Sequence, residues 1–248
     1  MSLSPVVSRR SVPLFTERAA GLTSNALKLI AISAMFFDHF CLVFVDVGPV
    51  AGAWLRVPGR LAAPIMCYLI SEGYAHTSHL GRYTLRLLVF AMISHVPYDF
   101  YFGLDPFRWT SVIWGLACGL VALAVAERRE VPLWARVVFV LACCVVADPA
   151  DWSYVGVLWV VGFGLMRGRF ALQMLAFAVV GLALYAVPGV LEGGPLQAYR
   201  FGILLTIPVL ACYNGRLGRR IPAVKYGFYM FYPAHLLVLW GLRLLMGV

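Results

Sequence analysis

Three histidines fall inside long apolar stretches of this chain, where a side chain that carries charge is unusual. His39 directly follows Asp38. His95 lies four residues before Asp99, so the two would share one face of a helix. An imidazole has an ordinary pKa near 6.5 and can accept a proton from an amine close to neutral pH, whereas an ordinary carboxylate is a weaker base. We therefore predict that His39 and His235 are the residues most important to activity, with His95 third.

Other polar residues accompany these histidines, and each also has a plainer structural interpretation. Glu72 and His76 are four residues apart, but a helical zinc motif needs two histidines at that spacing, so we predict no metal site. Asp38 could be a structural partner of Arg60. The pair His95 and Asp99, which flanks a proline, could serve helix packing instead of chemistry.

Cations and aromatic residues form a second group near the predicted inner ends of the apolar stretches. Lys28 lies eleven residues before His39, nearly on the same helix face. Tyr229 and Tyr232 follow Lys225 at helical spacing, one turn before His235. Positive residues collect in cytoplasmic loops of membrane proteins without any ligand, and this alternative remains open for the cations.

The composition places these residues in a membrane protein. Of the 248 residues, 62% are hydrophobic and 12% are charged, against roughly 25% charged in soluble domains. Apolar runs such as residues 137–142 do not alternate with polar residues, which excludes barrel strands and favours helices. The net charge of +9 fits basic cytoplasmic loops, so we predict no nucleic-acid partner. The six cysteines lack CxxC spacing and indicate neither a disulfide nor a metal cluster.

The fold class is therefore all-α, a polytopic transmembrane helical bundle in contact with the lipid bilayer. A polar arm at 1–25 precedes an integral membrane domain at 26–248. About nine spans fit, with eight as the alternative because three of them are short. They are placed at about 26–47, 54–76, 83–103, 110–127, 132–147, 152–166, 170–188, 200–213 and 224–246. Alternate loops are rich in Arg and Lys, which predicts a cytoplasmic N-terminus and an external C-terminus.

The chain resembles the TraX family, the F-pilin acetyltransferases of bacterial conjugation, over about 26–245. The residues that carry the resemblance are 27–31 with Met35, Asp38-His39, Arg60–Ile65, Glu72–Tyr74, Ser94–Asp99, Tyr213–Gly215 and Lys225–Leu236. Within the family the chain is similar to the TrbP proteins of plasmid transfer systems. The resemblance implies a multi-pass protein of the bacterial inner membrane that acetylates the N-terminal amine of a membrane-embedded pilin. It implies acetyl-CoA as co-substrate, and pilin and other pilus-assembly proteins as partners.

Acetyl transfer assigns a role to each group of residues. The catalytic set is His39, His235, His95, Asp38, Glu72, Asp99 and Tyr232. In it one histidine is the base, a second histidine or Tyr232 donates to the thioester oxygen, and Asp38 or Glu72 orients the base. The set expected to bind the phosphates of CoA is Lys28, Arg82, Arg86, Arg216, Arg219, Arg220 and Lys225. The set expected to bind the acceptor is Tyr229, Arg60, Tyr213 and Asn214.

Two other functions remain open at this point. Some TraX-like proteins serve systems whose pilin is circular and has no free N-terminus, so pilin processing, cyclisation or a pilin-assembly chaperone is one alternative. A proton-coupled transporter also uses Asp, Glu and His inside the membrane, although the internal repeats common in transporters are not evident here.

Overall fold

The computed structural model describes residues 21–105, 107–218 and 222–247, the first five residues of the last range by backbone alone. Its helices are α1 Ser24–Phe44, α2 Gly48–Leu55, α3 Ala62–His76, α4 Leu80–Phe102, α5 Val112–Ala126, α6 Leu133–Val146, α7 Ser153–Leu165, α8 Phe170–Gly181, α9 Val187–Gly193, α10 Thr206–Ala211 and α11 Pro222–Met246. The β-type backbone pairing found within these ranges consists of two isolated bridges. The predicted all-α fold class is confirmed. Most of the predicted polar arm, up to residue 20, lies outside the described residues.

Several helices are built to face lipid. Three helical stretches are long and apolar enough to cross a membrane, namely Ser24–Phe44, Phe170–Gly193 and Gly227–Met246. Helix α6 has only Cys144 buried, and its apolar side chains, such as Val138 at 58% and Val145 at 74%, are exposed. A helix that is apolar on its exposed sides needs an apolar solvent. The protein is therefore a helical membrane protein, and the count of nine spans with an inner N-terminus stays a prediction.

Glycines allow the central helices α5 and α7 to lie close together. A Cβ at Gly119 would be 3.0 Å from the side chain of Val160, and one at Gly164 would overlap Leu123. Small residues at such contacts are typical of helix packing in membranes, where close approach replaces the hydrophobic driving force. Leu120 and Val157 in this contact are completely buried. Helix α3 packs against both of these helices, α4 packs against α5, and α1 packs in turn against α3.

The second predicted span, 54–76, is not one helix. Its first part belongs to α2, and a 3₁₀ segment at Pro58–Leu61 separates α2 from α3. Pro58 cannot donate a backbone hydrogen bond, and Gly59 lies against the Asp38 side chain, where a Cβ would be 2.8 Å from Oδ1. The break lets the chain approach α1 closely at Asp38.

The seventh predicted span extends beyond its expected end. Helix α8 continues through a π-helical turn at Leu182–Ala186 into α9, so the helical stretch ends at Gly193 and not at 188. The segment that follows is a 3₁₀ helix at Pro195–Leu205 that leads into α10. Its residues up to 199 were expected in a loop, and the rest at the start of the eighth span, 200–213. This arrangement places Tyr185 and Tyr199 beside Arg60, in the 3₁₀ segment that precedes α3.

Candidate active site

Two of the predicted histidines meet in the interior. His39 of α1 and His235 of α11 are 196 residues apart in sequence, yet Nδ1 of His39 lies 2.9 Å from Nε2 of His235. Their rings are nearly parallel, with an interplanar angle of 6°. Both residues are buried, and the hydroxyl of Tyr101 donates to the backbone carbonyl of His39, which fixes α1 against α4 at this depth.

The hydrogen bonds of this pair define which nitrogen carries each proton. Nδ1 of His235 lies 2.9 Å from the carbonyl oxygen of Phe231, which can only accept, so His235 carries its proton on Nδ1. Its Nε2 must then accept from Nδ1–H of His39. With both imidazoles neutral, the basic nitrogen is Nε2 of His39. His235 therefore orients His39 and can share the positive charge once His39 is protonated.

A large cavity reaches the His39 side of this pair. It has a volume of about 830 Å³, within the range of about 300–1,000 Å³ typical of small-molecule sites. Its polar lining comprises Ser24, Asn25, Lys28, Asp38, His39, Arg60, Glu72, His76, Thr77, Tyr83, Arg86, Asp151, Trp152, Tyr213, Tyr229 and Tyr232. His235 does not line it, because it lies behind His39. Ser24 and His39 are fifteen residues apart on α1, so the cavity spans about 22 Å of helix length.

An ionic cluster lies one residue from His39. Nη2 of Arg60 lies 2.5 Å from Oδ2 of Asp38, and Nε of Arg56 lies 3.3 Å from Oδ1. Arg60 also donates to the hydroxyl of Tyr185 at 2.9 Å and lies over the ring of Trp152. The pairing of Asp38 with Arg60, which the sequence left as an alternative, is therefore present. Asp38 is held by arginines from another segment and not by its neighbour His39.

The opposite part of the cavity is basic. Nε of Arg86 donates to the hydroxyl of Tyr229 at 3.1 Å, and its guanidinium lies over the rings of Tyr83 and Tyr229. The Lys28 ammonium lies 5.4 Å from the centre of the Phe228 ring. We name this region, defined by Lys28, Arg86 and Tyr229, the basic mouth.

Glu72 and the three predicted tyrosines, Tyr213, Tyr229 and Tyr232, line the cavity, but Asn214 does not. Tyr232 and Tyr213 are buried with their surfaces turned towards the cavity, and Glu72 lies on the α3 side. Asn214 instead joins the segment before α1 to the segment before α11: its amide donates to the carbonyl of Gly21 at 3.2 Å, and its side-chain oxygen accepts from the backbone of Arg216.

His95 and Asp99 form a separate pair on α4. Nδ1 of His95 lies 3.4 Å from Oδ2 of Asp99, and neither residue lines the cavity. Arg82 is exposed and Arg216 is likewise outside the lining. The side chains of Arg219, Arg220 and Lys225 lie outside the described residues.

Sequence reasoning missed part of the lining. Asp151 and Trp152 come from the connection between α6 and α7, and Tyr185 comes from the π-helical turn. Asp151 lies next to an apolar run, and its position in the sequence indicates a loop but not a site residue. Arg56 falls within the predicted second span, 54–76, but its bond to Asp38 depends on the break at Pro58–Leu61.

These features define a class: a helical membrane protein with a deep internal polar cavity, basic at one end, that reaches a buried histidine pair. The chain belongs to the TraX family, whose profile, described as "TraX protein", matches residues 23–243. A curated relative is the "Probable fimbrial assembly protein FimC, serogroup H1" of Dichelobacter nodosus. It is 31% identical over 243 residues, which cover 92% of this chain and 98% of the relative. No solved structure matches the chain. The predicted family resemblance is confirmed.

Proposed function

We propose that this protein is a pilin maturation enzyme, embedded in the bacterial inner membrane, of a conjugative type IV secretion system. It transfers an acetyl group from acetyl-CoA to the N-terminal amine of pilin. Membership of the TraX family supports this proposal, and the name of the Dichelobacter relative supports a role in pilus assembly. The observation that carries it is the histidine pair, which presents a basic Nε2 on a residue of the cavity lining.

The basic mouth suits the donor. CoA carries phosphates at one end and its thioester at the far end of a long pantetheine arm. Lys28 and His39 are separated by about 16 Å along α1, a distance that an extended pantetheine arm can cover. Arg86 and Lys28 would pair with the phosphates through charge-assisted bonds, while the apolar and aromatic walls enclose the arm. The thioester carbon would then lie beside His39.

The reaction balances with the residues present. The neutral amine attacks the thioester carbon, and its proton passes to Nε2 of His39. The C–S bond breaks, and the protonated imidazole returns this proton to the departing thiolate, which leaves as free CoA. Tyr232 lines the same cavity and is the proposed donor to the oxygen that gains negative charge. The pair with His235 would stabilise the imidazolium that forms in between.

Intact-mass spectrometry of pilin tests this proposal. Pilin is co-expressed with the wild-type protein, with the His39→Ala variant, or alone, in the same membrane. We expect one added acetyl mass with wild-type protein and its loss in the variant when membrane abundance is equal. Loss of one water would indicate cyclisation instead. Unmodified pilin that nevertheless requires this protein for assembly would indicate a chaperone, and either outcome would overturn acetyl transfer.

A further inference from the structure

The connection between α6 and α7 closes the cavity at the end opposite to the basic mouth. Helices α4 and α6 end there, and α5 and α7 begin there. The backbone N–H of Thr110 donates to the carbonyl of Pro149 at 2.9 Å, which ties the α4–α5 connection to the α6–α7 connection. The two connections thus form one floor beneath the cavity.

Asp151 lies in this floor and is reachable from both sides of it. A second, shallower cleft, here called the outer cleft, is lined by Arg108, Trp109, Asp148, Pro149, Ala150, Asp151 and Ser153. Among the described residues, Asp151 alone lines both the outer cleft and the main cavity. Its side chain is exposed in spite of this internal position. A group that enters through the outer cleft therefore meets Asp151 before it meets His39.

The charges in this region favour a cation. Arg108 of the outer cleft is paired with Asp105, at 3.6 Å, which leaves Asp148 and Asp151 as the acidic groups of the cleft. On the cavity side, Asp151 interacts with Arg60 and with the hydroxyl of Tyr98.

Arg60 forms an ion pair with Asp38, which Arg56 also contacts. The two arginines are thus balanced by Asp38 and Asp151, and the Asp148 carboxylate is in excess. Among the residues that line the outer cleft, the two carboxylates therefore outnumber the one cation, Arg108.

The backbone beside Asp151 is held in a strained conformation. Ser153 has a φ of 43°, and it alone among the described non-glycine residues has a positive φ. Its hydroxyl donates to Oδ1 of Asp148 at 3.0 Å, and Trp152 packs against Tyr185 and Trp159. Such strain persists only where the surroundings fix the backbone firmly. Asp151 is thereby held at the boundary between the two spaces.

We propose that Asp151 is the binding residue for the acceptor amine, which enters through the outer cleft as a primary ammonium. This inference rests on the proposed function. The ammonium donates to the Asp151 carboxylate, and one of its protons passes to that carboxylate and then to water in the outer cleft. The neutral amine attacks the thioester and gives its second proton to His39. The donor and the acceptor would thus approach His39 from opposite ends of the cavity.

Binding measurements test the recognition step separately from catalysis. The probes are two synthetic peptides with the mature N-terminal sequence of pilin, one with a free amine and one acetylated at that amine. The full chain is reconstituted in lipid nanodiscs, and fluorescence anisotropy gives both affinities. We expect wild-type protein to prefer the free amine by about tenfold or more, as for a hydrogen bond between charged groups. Asp151→Asn should abolish this preference.

Three controls separate recognition from damage to the fold. Asp46→Asn removes an exposed carboxylate near the same end that lines neither space, and it should keep the preference. Asp151→Glu should restore part of it. The affinity for acetyl-CoA should be equal in all variants, because the basic mouth is unchanged.

The outcomes distinguish this inference from the proposed function. If wild-type protein prefers the free amine but transfers no acetyl group, the proposed function is wrong and the amine site stands. If acetyl transfer occurs and Asp151→Asn leaves the KM for the free-amine peptide unchanged, the amine site is wrong. Equal binding of both peptides by wild-type protein would also overturn it.

Discussion

Replacement of His235 by alanine should slow acetyl transfer although this residue does not line the cavity. The change removes the acceptor 2.9 Å from Nδ1 of His39, so the imidazole loses the bond that fixes its orientation and its proton position. A hydrogen bond to a charged group contributes about 1.5–3 kcal/mol, which corresponds to about 10–150-fold in rate. His39→Ala removes the base itself and should cost about 10²–10⁴-fold.

The assay is the initial rate at which pilin gains the acetyl mass, with the enzyme in nanodiscs and acetyl-CoA at saturation. His235→Asn keeps a side-chain oxygen that can accept from His39, so it should recover part of the rate lost in His235→Ala. His95→Ala is the matched control, because that histidine is partly buried in the same bundle but lies outside the cavity. We expect it to reduce the rate less than either of the other two alanine variants.

Two results would refute this reasoning. Near wild-type rates in both His39→Ala and His235→Ala would show that the pair is structural. A loss in His235→Ala that is accompanied by an equal loss of folded protein would show that the pair serves packing alone. Circular dichroism and membrane abundance, measured on the same samples, separate these cases from a loss of catalysis.

Three further predictions follow from the fold and the cavity. Gly59→Ala places a Cβ against the neighbouring aspartate of α1 and should cost about 1–3 kcal/mol of stability; thermal unfolding checks this, with Gly52→Ala, which has open space, as control. Arg86→Gln should weaken acetyl-CoA binding by about tenfold or more in calorimetry. Arg82→Gln, one turn away and exposed, should leave the affinity unchanged. Equal affinities of the two variants would mean that Arg86 reflects only the positive charge common in cytoplasmic loops. A reporter fused after Val248 should be active only if it works outside the cytoplasm, and cytoplasmic activity would contradict nine spans with an inner N-terminus.

Hydropathy predicted where the helices lie because an apolar segment inside lipid must pair its backbone polar groups within itself, as a helix does. The predicted limits 110–127, 132–147 and 152–166 differ from α5, α6 and α7 by one or two residues at each end. The break at Pro58–Leu61 was not predicted, since its cause is tertiary: Gly59 must lie against α1. Apolar content alone does not distinguish a continuous helix from two helices joined by a 3₁₀ turn.

The apolar sequence around His39 and His235 indicated that both lie inside the bundle, but it could not indicate which residues they contact. His39 and His235 share a level in the bilayer, and their contact depends on how α11 packs beside α1, which spacing along the chain cannot specify. His95 also falls inside an apolar stretch, yet it does not line the cavity. Asp151 could not be found from sequence because it lies in a connection, where a carboxylate is ordinary.

The charged residues along the cavity differ in sign between its two ends. Arg60 is 11% exposed and Asp38 is 6% exposed, and removal of one partner from such a buried pair typically costs 3–5 kcal/mol. A loss of activity in an Asp38 variant would therefore arise from Arg60 left without its main partner, and would not identify Asp38 as a base. This central pair is neutral overall, so the two ends of the cavity differ in charge: the mouth that holds Arg86 is basic, and the outer cleft, where Asp148 adds to Asp151, is acidic. A buried imidazole between two ends of opposite charge is the arrangement that a transfer from an anionic donor to a cationic acceptor requires.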